Sequence, residues 1–382
     1  MEPSITRYAL GLDVSKDDLK ACLISVEQSL STRIKASRTF NNNLKGIKDL
    51  EIWLNQRFKD PNSFLNVVIE ATGVYHEQLA WALHLAGYRV CVLLPNKVKN
   101  YLRFLGNKSK NDKMDAEGMA KLGVQQLLEQ WQPISDRLYE LRLLTRRHEN
   151  VQKSKTILNN QLEALEHGHI QQKIVMKQLR SCIKLLDKQL VDLKREIQRL
   201  IENDVLLAER TQHLYSIKGV GMICAATIIA ETNGFALFKN QGQLISFAGY
   251  DVVENQSGRH TGKTRISKKG NSHIRRVLHM PALSVVKLKV APFTGLFERI
   301  MQHQPHKMKA YVAIQKKLLV LLYTLWKKNE PYKKDMLNQT SGVQEAKLLF
   351  QVKVENIVAP YLGATQDELP SVQSAKVLFQ VL

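Results

Sequence analysis

Between residues 136 and 201 the chain carries an apolar repeat that few folds can satisfy. Positions 141, 144, 148, 151, 155, 158, 162 and 165 alternate steps of three and four, and hold Leu, Leu, His, Val, Lys, Leu, Leu and Leu. After His167-Gly168-His169 the spacing resumes at 179, 183, 186, 190, 193, 197 and 200, all Leu or Ile. Such a seam needs long helices with a facing partner. The glycine in the middle predicts an antiparallel coiled-coil hairpin, packed on itself or against another subunit. His148 and Lys155 are polar at seam positions, which weakens the first arm and sets register or partner. His167 and His169 astride a glycine read as a loop rather than a metal pair.

The residues before the seam alternate strand and helix patterns. "YALGLDV" and "LKACLIS" are short apolar strands joined by the polar "SKDD", and "STRIKASRTF" supplies a third. "LKGIKDLEIWLNQRF" has Leu44, Ile47, Leu50 and Leu54 at helical spacing. "FLNVVIEATG" reads as a buried strand, "HEQLAWALHLAG" as a helix closed by Gly87, and "YRVCVLLP" as a strand stopped by Pro95. Three strands, a helix, then strand, helix, strand is the order of an RNase H-like α/β fold. Residues 204–330 read as mostly helical around one glycine-rich basic stretch. The expected domains are therefore 1–130 (α/β), 131–203 (coiled-coil hairpin), 204–332 (mainly α) and a tail, 333–382. In the tail "VQEAKLLFQV" returns as "VQSAKVLFQV"; two copies are too few for a solenoid.

Charge narrows the partner. Lys and Arg number 56 against 35 Asp and Glu, a net +21, which points to a polyanion and above all to nucleic acid. The cysteines, Cys22, Cys91, Cys182 and Cys224, form no CxxC pair. That argues against a zinc finger and a disulfide framework, and fits a reducing cytosol. No signal peptide opens the chain. The longest apolar run, Leu318 to Trp326, is too short for a membrane span and reads as a buried helix.

Four carboxylates stand out. Asp13 ends the first strand and Glu70 the fourth, where a lone acid is costly unless paired or metal-bound. Asp112 and Asp115 in "KSKNDKMDAEG" are three apart, so a helix beginning there puts both on one face. Each could also be a helix N-cap or a solvated charge. In an RNase H-like sheet the first and fourth strands are neighbours, and four hard oxygen ligands together suit Mg²⁺ or Mn²⁺. From Gln78 to Asn111 no acid occurs, while Arg89, Lys97, Lys99, Arg103, Lys108 and Lys110 accumulate. A cationic approach to carboxylates suits a phosphate-bearing substrate.

A second acid-free stretch lies between Glu254 and Glu298 and holds Arg259, Lys263, Arg265, Lys268, Lys269, Arg275, Arg276, Lys287 and Lys289. Its run Ser-Gly-Arg-His-Thr-Gly-Lys-Thr from Ser257 approaches a P-loop, but Ser257 replaces the first glycine and no strand followed directly by a helix frames it. Ser257-Gly258 is either a turn or a nucleophile set among cations. Attack by a serine on DNA phosphorus would keep the phosphodiester energy in a phosphoserine bond, so rejoining would need no ATP. Upstream, Gly219-Val220-Gly221 between helical stretches is either a phosphate-holding helix-hairpin-helix turn or an ordinary interhelical turn.

Together these residues resemble the transposases of the 110 family of insertion sequences, whose relatives include Piv-type DNA invertases. The resemblance covers roughly residues 6–330. "GLDVSK", "IEATGVY" and "KNDKMDA" are similar to three RuvC-like DEDD motifs, and "IKGVG", "LISFAGYDVVENQSG" and "TRISKKGNSHIRRVLHMPA" to a C-terminal transposase domain. The resemblance implies a metal-binding tetrad of Asp13, Glu70, Asp112 and Asp115, and Ser257 as a nucleophile linked transiently to DNA. It also implies donor and target DNA as partners, a structured noncoding bridge RNA as guide, and a dimer to tetramer assembled through the coiled coil. A cytoplasmic, nucleoid-associated protein without membrane contact is expected. Asn111 stands where the family often has Thr, and Lys218 where it usually has Pro; the second loosens the hairpin reading. The competing readings are a RuvC-like nuclease or junction resolvase using water, and a nucleic-acid-binding protein without catalysis.

Overall fold

The computed structural model describes residues 7–26, 31–58, 64–71, 73–106, 111–253, 256–257, 260–262, 265–303 and 306–333. The chain divides into two compact units, Met1–Pro133 and Ile134–Leu382.

The first unit is built on a five-stranded sheet. The chain runs β1 (Arg7–Val14), β2 (Asp18–Val26), β3 (Thr32–Asn41), α1 (Leu44–Arg57), β4 (Phe64–Glu70), α2 (Glu77–Leu85), β5 (Arg89–Leu93), α3 (Pro95–Phe104) and α4 (Asp112–Gln125). Strand order is β3-β2-β1-β4-β5. β1, β2 and β3 form an antiparallel meander, while β4 and β5 join β1 in parallel. This is the RNase H-like topology anticipated from the element order.

Strand periodicity sorts the side chains into two layers. Leu10 and Leu12 of β1 pack with Leu19, Ala21 and Leu23 of β2, Val67 and Ile69 of β4, and the apolar stripes of α1 and α2. Ala9, Cys22 and Ile24 point the other way, onto Ala116, Ala120 and Val124 of α4. Val68 and Cys91 share that second face with Met119 of α4 and Val98 of α3. Odd positions of β1 and even positions of β2 and β4 therefore face α4.

α3 is a helix the sequence reading treated only as a basic stretch. Pro95 stands at its first turn, where a missing N–H costs nothing. Val98 is its buried residue, and Lys97, Lys99 and Arg103 are exposed.

The second unit opens with two long helices, α5 (Asp136–Glu166) and α6 (Lys173–Glu202). They pack along each other in opposite directions: Lys155 pairs with Asp187 at 2.5 Å and Arg180 with Glu166 at 2.8 Å. The polar seam residues have separate explanations. Lys155 is held by Asp187 across the hairpin, whereas His148 is buried. Then follow α7 (Val205–Tyr215), α8 (Met222–Glu231), α9 (Gln241–Ala248), the two-residue strands β6 (Val252–Val253), β7 (Gln256–Ser257), β8 (His260–Thr261) and β9 (Arg265–Ile266), and α10 (Ser272–Val277), α11 (His279–Lys287), α12 (Ala291–His303) and α13 (Lys307–Lys328). α8 is apolar on all sides and buried from Cys224 to Glu231, so it forms the centre of this unit. α13 buries Leu318 to Trp326 against the same core, as the apolar run predicted.

Candidate active site

Leu12 pairs with Ile69 across the parallel β1–β4 junction, and Asp13 and Glu70 follow directly. By strand parity both belong to the face that α4 covers. α4 starts where the sequence reading put it. Asn111 is its N-cap: the side-chain oxygen accepts from the Lys113 N–H at 3.0 Å. Asn111 thus performs the capping for which Thr is also suited, and Asp112 and Asp115 are first-turn acids rather than caps. Negative charge is favoured there by the helix dipole.

The approach of α4 to the sheet depends on Gly11. A Cβ there would meet the Ala116 carbonyl oxygen and the Ala120 backbone nitrogen, so only glycine lets helix and strand backbones lie this close.

The four acids gather around Asp13. Burial raises its carboxyl to about 6, and the charges of Asp112, Asp115 and Glu70 push in the same direction. Lys20 pulls the other way. Lys20 lies opposite Asp13 in the β1–β2 register, pairs with Asp112, and is 3.9 Å from Asp18. Hydrogen bonding to Asp112 raises the Lys20 ammonium above its ordinary value. The sequence reading missed this lysine, although position 20 shares the parity of the α4 face.

The donor chemistry fits a hard divalent cation: four carboxylates, one of them reluctant to ionise because it is buried and the others repel it. Their arrangement is gathered rather than closed. Among the described residues no three His, Cys, Asp or Glu side chains stand near enough to hold one ion. Of the cations expected nearby, Arg89 serves the fold, donating to Asn66 at 3.0 Å and to the Leu128 carbonyl at 2.8 Å. Lys97, Lys99 and Arg103 are exposed along α3, and Lys108 and Lys110 lie outside the described residues.

Ser257 belongs to the second unit. It ends β7, and its backbone pairs with that of His260 in β8. β6 pairs with β9, so two short antiparallel ribbons occupy the segment between α9 and α10. Arg259 and Lys263 lie outside the described residues; Arg265 is exposed in β9.

The end of this segment is fastened to the unit's core. The Ser267 N–H donates to the Asp251 carbonyl at 2.7 Å, Lys268 to Gly249 at 3.1 Å, and Asn271 to Phe247 at 2.7 Å. The Asn271 side chain donates to Glu231 at 2.7 Å, and Arg146 holds the same carboxylate in a two-pronged bond at 2.7 and 2.9 Å. Burial pushes the Glu231 carboxyl up, but Arg146, Asn271 and Arg142 outweigh it and hold the group below its ordinary value. Glu231 escaped the sequence reading, though a lone acid ending the apolar run "MICAATIIAE" was its signal. Lys268 and Lys269 stay exposed. Arg275 is turned inward, onto the carbonyls of Ala248 and Asn271 at 2.7 and 3.2 Å, and Arg276 pairs with Glu149.

The Gly219-Val220-Gly221 turn joins α7 to α8. Gly219 has φ +97°, and a Cβ there would stand 2.9 Å from that of Ser284. Gly221 is the N-cap of α8.

Two protein families match in the order of these sites. Residues 10–168 match the IS110-type DEDD transposase domain, and residues 211–296 match the transposase domain of the IS116/IS110/IS902 family. The chain belongs to the IS110 family of transposases. The first matched region contains Asp13, Glu70, Asp112 and Asp115, and the second contains Ser257. Similarity to the pilin gene-inverting protein of Moraxella bovis is 28% identity, over 86% of this chain and 99% of that one. The probable family 20 transposase of Pseudomonas aeruginosa is 24% identical over 42% of this chain and 46% of its own length. T. thermophilus RuvC, solved with a Holliday junction substrate, covers 30% of this chain and 90% of its own at 17% identity and TM-score 0.23; the fold assignment rests on the strand order above. Membership makes this transposase a DNA recombinase by class. No single helix among the described residues is long and apolar enough to cross a membrane.

Proposed function

We propose that this transposase cuts and rejoins DNA through a covalent bond from Ser257. In the first step the Ser257 Oγ bonds to a backbone phosphorus as one bridging P–O bond breaks. The serine proton leaves to a base, and the released deoxyribose oxygen is protonated. The reverse attack by a deoxyribose hydroxyl reseals DNA and frees the serine, so neither step consumes ATP.

Asp13, Glu70, Asp112 and Asp115 are the residues that would hold Mg²⁺ or Mn²⁺. When bound, such an ion stabilises charge on the transferring phosphoryl group. The observation that carries this reading is Asp13, whose carboxyl is raised to about 6 by burial and by the other three acids. Repulsion of that kind is kept where a cation or proton is to be received. The tetrad and the serine lie in separate units, and the reading requires both to act on one phosphate, from one chain or from two.

The two acid-free stretches, residues 78–111 and 255–297, give the charge of +21 two regions for phosphate contact. We assign these to donor and target DNA and to a structured bridge RNA that selects them. The α5–α6 hairpin is the proposed contact between subunits, because its seam is only half-buried toward the tip, at Leu158, Leu162 and Leu165. The chain acts in the cytoplasm at the nucleoid.

The test is to denature the protein after reaction with end-labelled DNA carrying its element ends. A covalent adduct lost in Ser257→Ala is expected. Cleavage by Ser257→Ala with no adduct in either protein would overturn the serine mechanism in favour of water. Transcribed RNA from the flanking DNA, added or omitted, tests the guide.

A further inference from the structure

A cavity of about 790 Å³ opens in the second unit, bounded by α5, α6, the Gly219–Gly221 turn, and the α10–α11 pair. Its size is that of a small-molecule site, and the mechanism above does not use it. The lining is mostly apolar, with Ile223 from α8 and Met280 from α11. His148 also lines it; this residue is only 8% exposed, yet its Nε2 has no hydrogen-bond partner. That nitrogen is sealed from solvent, so His148 contributes to the cavity as a wall residue. Burial, aided by the charge of Lys194, holds the imidazole below its ordinary value. The ring is therefore neutral at physiological pH, with one donor and one acceptor nitrogen.

The surroundings select an anion. Lys153 and Lys194 line the cavity and are exposed. The acid in the lining, Glu149, is paired with Arg276 and with His273. The first turn of the ten-residue helix α8 also borders the space, and its N-cap, Gly221, provides no side-chain hydrogen bond. Backbone N–H groups at such an end accept phosphate readily.

We propose that this cavity takes one unpaired nucleotide of the bound nucleic acid. Its base lies against Ile223 and Met280. Its phosphate lies at the mouth, between the start of α8 and the two lysines. A stacked duplex cannot deliver a base to such a depth; a flipped or single-stranded one can. An apolar side chain from another subunit would leave the lysines unmet. The proposal rests on the nucleic-acid reading above and adds to it a site that distinguishes unpaired from paired strands.

The full-length chain is tested with single-stranded DNA and RNA oligonucleotides bearing photoreactive thio-substituted bases, and with a blunt duplex. Crosslinks are expected on peptides containing Met222–Ile223 or Val277–Met280; the DNA and RNA arms show which strand supplies the nucleotide, and either supports the proposal. Filling the cavity with Ile223→Trp is expected to weaken single-strand binding roughly 5- to 100-fold and duplex binding by less than about twofold. If that variant does not fold, Met280→Trp, at a site 64% exposed, takes its place. Unchanged single-strand affinity in a folded cavity-filling variant would overturn the proposal, as would crosslinks confined to other peptides. A changed subunit number at unchanged affinity would assign the cavity to another copy and also overturn it. Failure of the unaltered protein to bind either strands or duplex would remove the nucleic-acid reading itself.

Discussion

The tetrad and the serine segment are built by opposite means. Asp13 and Glu70 stand on paired strands inside a five-stranded sheet, and α4 is drawn onto that sheet at Gly11. Ser257 stands on a two-residue strand, in a segment secured to its unit's core at the far end through Asn271 and Glu231. A cluster of like charges needs a frame that resists its repulsion, and a sheet supplies one. On the mechanism proposed above, a nucleophile that must meet a phosphate needs little secondary structure and one secure anchor.

The strongest way to test that comparison is to disable the frame's chemistry alone. Asp13→Asn is expected to lower strand cleavage by at least about a thousandfold without lowering the melting temperature in chelator, since it removes a repelled charge. A large loss of stability would show that Asp13 supports the fold. Next comes the anchor. Glu231→Ala removes the buried carboxylate that Arg146 and Asn271 hold; because the Arg146 side chain is 43% exposed, loss of these charge-assisted bonds costs about 1.5–3 kcal/mol, measurable by urea unfolding. Recombination should fall further than stability alone explains, because residues 267–271 lose a tether. Activity that merely tracks the folded fraction would contradict the anchoring role.

A smaller effect is expected at the interhelical turn. Gly219→Ala places a side chain at φ +97° and against Ser284, for a cost of roughly 1–3 kcal/mol. The smallest is a pH dependence. In chelator the folded protein holds a proton on Asp13 up to about 6, whereas the carboxyl's ordinary value is 3.8. Between those values the folded state binds more protons, so this group's contribution to stability falls as pH rises. Melting curves across that window should show the slope in the natural protein and a flatter one in Asp13→Asn.

The first unit was the more legible. Short apolar runs mark β1, β2 and β4 and helical spacing marks α1, and the RNase H-like order of these elements puts Asp13 and Glu70 on adjacent strands. Lys20 was harder, because its relation to Asp112 arises only when α4 folds over the sheet. α3 escaped because its apolar face, Val98 with Tyr101 and Leu102, spans little more than one turn and is set among lysines and an arginine. In the second unit the heptad seam made α5 and α6 plain, but it could not say that His148 turns to a cavity while Lys155 meets Asp187. Strands of two residues, such as β7 and β8, are below the length at which alternation can be read.

The two-sided sheet has an arithmetical consequence for the gene. β1 shows Ala9, Gly11 and Asp13 to α4, and Leu10 and Leu12 to the opposite layer. Inserting or deleting a single codon in that strand would exchange the two sets, sending an acid into the oily layer and leucines toward α4. A change of two codons would restore the sides. Surviving length variation in this strand should therefore come in even numbers.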